Sequence, residues 1–106
     1  MAFVVPHKIL IKPRIAYEIV YVDRFDDPCQ VGECRRTIGK NSYEGTIRQI
    51  AIKSGLSKRA LLETLLHEVL HAVEYEYKLP IPHALIHKLE KPLLRLLIAN
   101  GWVSID

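Results

Sequence analysis

Between Ser57 and Pro80 the chain runs KRALLETLLHEVLHAVEYEYKL without a glycine or proline, and this stretch constrains the fold more than any other. Ser57 precedes it as a helix cap, its hydroxyl placed to accept from the free N–H groups of a first turn. Leu61, Leu62, Leu65, Leu66, Val69, Leu70 and Val73 recur at helical spacing and form one broad apolar face. The opposite arc holds Glu63, Thr64, His67, Glu68, His71, Glu74 and Tyr75, which predicts a helix buried on its back and polar on its front.

Within that front lies His67-Glu68-Val69-Leu70-His71, an H-E-x-x-H string. On a helix, histidines at i and i+4 project from one face and can share a metal, with the glutamate beside them. In metallopeptidases such a glutamate takes a proton from water that zinc has made acidic. A chance pair of histidines on a solvated face is the competing reading. A catalytic zinc also needs a third protein ligand. Glu74 is poorly placed for this: it lies about 10 Å along a straight helix from His67, and no glycine follows to turn the chain back.

The following segment, LPIPHALIHKLEKPLLRLL, supplies better candidates. Pro80 and Pro82 end the first helix and start a second, with His83 in its first turn. Leu85, Ile86, Leu89, Leu93, Leu96 and Leu97 form its apolar stripe, and His83, His87 and Glu90 lie together beside that stripe. A short connection makes the two helices antiparallel neighbours, returning this polar edge over His67 and His71. Pro92 is expected to kink or divide the second helix.

The stretch from Thr46 to Trp102, centred on ETLLHEVLHAVEYEYKLP, resembles the small phage and bacterial zinc metallopeptidases of the ImmA/IrrE-like group. More diffusely, AYEIVYVD, VGEC and GTIRQIAIKSGLS resemble the strands that precede the motif helix in that group. In the family the second helix begins with a glutamate that is the third zinc ligand, and a supporting polar residue follows four positions on. Laid without gaps, those positions fall on His83 and His87. The resemblance therefore implies Zn2+ held by His67, His71 and His83, with Glu68 as general base. His87 is then a supporting group or a donor to the transition state, and the reverse assignment of His83 and His87 stays open. Histidine stands where the family has glutamate, and zinc accepts a three-histidine set. The resemblance also implies limited proteolysis of a regulator protein and an extended substrate paired to the Thr46–Lys53 strand.

In the front half, Ala16–Val22 alternates as a strand, and Val31–Thr37 and Thr46–Lys53 read as two more. KILIK, Lys8–Lys12, fits either a short strand or part of an N-terminal helix; Asp23–Gln30 is a loop and Ile38–Gly45 a turn-rich connection. The expected architecture is α+β over residues 1–106 as one zincin-like domain. It consists of a small antiparallel sheet of about three strands, then the motif helix and a second helix antiparallel to it.

Composition bounds the partners. With 49% hydrophobic and 25% charged residues the chain is an ordinary globular one, and no apolar run is long enough to cross a membrane. The N-terminal stretch MAFVVPHKILIKP is broken by Pro6 and does not read as a secretory signal, so the expectation is cytoplasmic. Cys29 and Cys34 are then reduced thiols. The net charge of +3 is dispersed, unlike the concentrated basic face of a nucleic-acid module. Tyr43, Tyr75 and Tyr77 are read as packing or surface residues. The expected partner is a protein or peptide substrate, with no oligomeric state implied. The rival reading is a non-hydrolytic zinc-binding regulatory protein that keeps the fold and acts by contacting a partner.

Overall fold

In the computed structural model, which describes residues 5–38 and 46–105, four strands precede two helices. These are β1 (Lys8–Lys12), β2 (Ile15–Val22), β3 (Gly32–Ile38), β4 (Thr46–Lys53), α1 (Lys58–Glu76) and α2 (His83–Ala99). Tyr43 and most of the Ile38–Gly45 connection lie outside the described residues.

The sheet order is β1-β2-β4-β3. KILIK is a strand, joined to β2 through Pro13 and Arg14, with Arg14 at φ 68 in the position a tight turn requires. The expectation of a three-stranded antiparallel sheet is corrected: there are four strands, and β2 runs parallel to β4. After β2 the chain passes out to the edge as β3 and returns as β4, inserting β4 between them. Alternation marks each strand but carries no information about its neighbour, so such an insertion escapes a sequence reading.

One face of the sheet carries Tyr17, Ile19, Ile50 and Ile52, which are buried in a cluster with Leu65 and Ala72 of α1. Cys34, paired with Ile50, joins the edge of this cluster. The other face leaves Leu10 and Ile47 exposed, the pattern of a sheet covered on one side.

Ser57 caps α1 as its sequence predicts, its Oγ accepting from the Ala60 N–H at 3.2 Å. At the other end Lys78 adopts φ 53 and the Leu79 N–H reaches back to the Glu74 carbonyl at 3.0 Å. A lysine thus takes the left-handed position that closes a helix and is usually given to glycine.

Glu76, in the last turn of α1, ties the helix to three strands. Its carboxylate accepts from the Tyr17 hydroxyl at 2.7 Å and from Arg48 Nε at 2.9 Å, and pairs with Arg36 Nε at 3.2 Å. The two arginines and the tyrosine hold its carboxyl below the ordinary carboxylate value, against the opposing effect of burial. α2 packs on α1 and buries Ile86, Glu90 and Leu94. It runs undivided through Pro92, which is exposed, so water can serve the carbonyl that proline leaves unbonded.

Candidate metal centre

The middle of the polar arc of α1 is withdrawn from solvent, while Tyr75 at its end stays exposed. Thr64 and Glu68 are 8% and 6% exposed, because β3 crosses in front of them. Gly32 permits that approach: a Cβ there would stand 2.5 Å from Thr64 Cγ2 and 2.9 Å from Glu68 Oε2. A helical wheel shows which residues share a face, and only the sheet decides what covers it.

A cleft of about 460 Å³ opens between the start of β3, α1 and α2, and Gly32, His67, Glu68, His83, His87 and Glu90 are among its lining residues. Along α1 it continues past His71 and Tyr75. His71 meets His83 near the start of α2, and His67 meets His87 and Glu90 farther along it. The two helices therefore run antiparallel, and the polar edge of α2 lies over the motif.

His67, His71 and His83 each offer a ligand atom within 4.8 Å of the other two. The His71 and His83 rings stack with centroids 5.2 Å apart, and His67 stands edge-on to both, at 4.9 Å from His71 and 5.0 Å from His83. Two carboxylates orient the motif histidines. His67 Nδ1–H donates to Glu90 Oε2 at 2.6 Å, and His71 Nδ1–H donates to Glu74 Oε1 at 3.2 Å. With Nδ1 turned to a carboxylate, Nε2 is the ring nitrogen each histidine offers as a ligand, the usual arrangement of metal-binding histidines. At His71 that Nε2 lies 3.2 Å from His83 Nδ1. The donor set suits zinc: nitrogen ligands, partly buried on α1, with acidic groups behind them.

Glu68 lies on the sheet side of the motif. Its carboxyl is pushed up to about 7, first by burial and then by the charges of Glu33 and Glu90, while a hydrogen bond from the Cys34 backbone works the other way. His87 stands at the cleft mouth, its side chain 71% exposed, with Nδ1 3.3 Å from Glu90 Oε1.

Of the predicted site residues, the three proposed ligands come together, Glu68 sits beside them, and His87 reaches the group through Glu90. Sequence reasoning gave no role to Glu90 and dismissed Glu74 as a ligand. Both stand three residues beyond a histidine they face, Glu90 at 3.3 Å from His87 and Glu74 bonded to His71, a spacing that places two side chains on one helix turn. Gly32 carried no signal beyond its residue type. Tyr75, read as a packing or surface residue, is exposed, stacks on His71 with ring centroids 6.2 Å apart and lines the cleft. Tyr77 lies at the far end of the helix and reaches the Ile11 carbonyl.

Thr46–Lys53 does not fit the substrate-pairing role expected of it. As β4 it is bonded on both edges, to β2 and β3. Among the described residues, the edge left unpaired beside the cleft is that of β3. No described helix is long and apolar enough to cross a membrane. Compared with protein-family models, curated proteins and solved structures, the chain matches none.

Proposed function

We propose that this protein is a zinc-dependent peptidase in which His67, His71 and His83 hold the metal and Glu68 is the general base. One observation carries this reading: three histidine ligand atoms converge on the face of α1 that also presents Glu68 to the cleft. Zinc bound there supplies Lewis acidity toward water and the scissile carbonyl. Glu68 takes the proton from the attacking water and passes it to the leaving amine. A carboxyl near 7 is suited to both halves of that transfer at neutral pH. Cys34 supports Glu68 through its backbone N–H, and Gly32 leaves room for it.

An extended peptide fits the free edge of β3, where backbone pairing would hold it along the cleft. Gln30 Nε2 already donates to the Gly32 carbonyl of that strand, so a substrate displaces this bond or pairs farther along the strand. His87, exposed at the mouth, is positioned as a donor to charge that develops on substrate oxygen. Free thiols at Cys29 and Cys34 fit a reducing compartment such as the cytoplasm.

The test is elemental analysis of untagged wild type, Glu68→Gln and His83→Ala, with cleavage of a fluorogenic peptide library on the same samples. The reading expects about one zinc per chain in wild type and Glu68→Gln, with loss of zinc in His83→Ala. Cleavage should fall about 100-fold or more in Glu68→Gln. Zinc bound without cleavage by wild type would favour the non-hydrolytic regulator. Zinc absent from wild type, and not taken up on addition, would sink both.

A further inference from the structure

The cleft holds a second convergence of ligand atoms that the three-histidine set does not use. His67, His87 and Glu90 each offer one atom within 4.8 Å of the other two. Glu90 is 8% exposed, and its two oxygens turn to two imidazoles, Oε2 to His67 Nδ1 at 2.6 Å and Oε1 to His87 Nδ1 at 3.3 Å. A carboxylate withdrawn from water is normally matched by a full positive charge or a metal.

We propose that His67, His87 and Glu90 form a second divalent-cation position beside the three-histidine one, sharing His67 with it. This rests on reading the cleft as a metal centre. The donor type, two nitrogens and one carboxylate oxygen, is accepted by zinc and also by harder ions such as manganese.

His67 governs how the two positions relate. Its Nδ1 faces Glu90, so Nε2 is the nitrogen left for the set with His71 and His83. A cation at the Glu90 position takes Nδ1 and displaces the proton that Nδ1 donates to Glu90. In the neutral ring that proton moves to Nε2, which then cannot serve the other position. Filling one position therefore withdraws His67 from the other, and the cleft holds one ion at a time in either of two places. One place is neutral and all-nitrogen, the other anionic. An ion at the Glu90 position is withdrawn from His71 and His83, so metal identity sets which position is filled.

Cobalt(II) titration of the untagged full chain, followed by visible absorption and calorimetry, tests this in wild type, His87→Ala and the double variant His71→Ala/His83→Ala. Circular dichroism verifies the fold, and His71→Gln/His83→Gln replaces the alanine pair should it unfold. The expected result is one cobalt per chain in all three, with a different absorption spectrum in His71→Ala/His83→Ala. Adding Glu90→Gln to that double variant should weaken binding by more than about 100-fold, beyond the loss an outer-shell partner causes.

Cobalt bound by His87→Ala but not by the double variant would overturn the second position and leave the three-histidine centre standing. Binding in the double variant that ignores Glu90→Gln would overturn it too. Two ions per wild-type chain would overturn the exclusion through His67. Binding in the double variant but not in His87→Ala would instead sink the three-histidine reading, and no binding anywhere would sink both.

Discussion

Replacing Glu76 by Gln tests what holds the motif helix on the sheet. The Glu76 carboxylate accepts from Tyr17 at 2.7 Å and Arg48 at 2.9 Å, and pairs with Arg36 at 3.2 Å, with its own side chain 4% exposed. Glutamine keeps the size and one acceptor but leaves two guanidinium groups without their counter-charge. Breaking a buried pair from one side costs about 3–5 kcal/mol. The arginine side chains are 34% and 20% exposed, so water recovers part of the loss and the low end applies. A loss of about 3 kcal/mol corresponds to a Tm lower by about 12–24 °C for a chain of this size.

The assay is urea unfolding followed by circular dichroism at several pH values. Because the folded carboxyl lies below its ordinary value, its contribution is complete above the unfolded value, about 4.3, and is lost as pH falls through the folded one. The gap between wild type and Glu76→Gln should therefore close on acidification below about pH 4. A loss under about 1 kcal/mol at pH 7, the worth of an ordinary hydrogen bond, would refute the reasoning. A gap that widens in acid would refute it as well.

Two further predictions concern the sheet edge beside the cleft. Gly32→Ala should lower stability by about 1–3 kcal/mol, the cost of overpacking. Its added Cβ would stand 2.5 Å from Thr64 and 2.9 Å from Glu68. The proposed peptidase activity should fall with it, and an unchanged urea midpoint would show that β3 does not press on α1. The Cys34 thiol is pushed up to about 12, by burial first and then by Glu68 and Glu76, whereas Cys29 is exposed. Iodoacetamide at pH 8 should thus add one label per folded chain, at Cys29, and two in urea. Mass spectrometry showing equal labelling of both cysteines in the folded protein would contradict the burial of Cys34.

The sequence alone determined the two helices and the candidate ligands they carry. The glycine- and proline-free run after Ser57 demands a helix, and i, i+4 spacing places His67 and His71 on one side of it. Pro80 and Pro82 force a short connection, which returns His83, His87 and Glu90 toward that side. These are local consequences of helix geometry and proline chemistry, and one chain segment suffices to state them.

Only the tertiary structure decided which strand borders the cleft and what Glu68 and Glu90 experience. The insertion of β4 between β2 and β3 pairs both edges of Thr46–Lys53 and leaves β3 at the rim. Alternation along a strand looks the same at a centre and at an edge, so no count of apolar residues distinguishes them. The burial of Glu68 follows from Gly32 letting β3 close over a polar arc, and that of Glu90 from α2 lying on α1. Desolvation and convergence of charge depend on atoms far apart in the chain, so they are properties of the packed molecule.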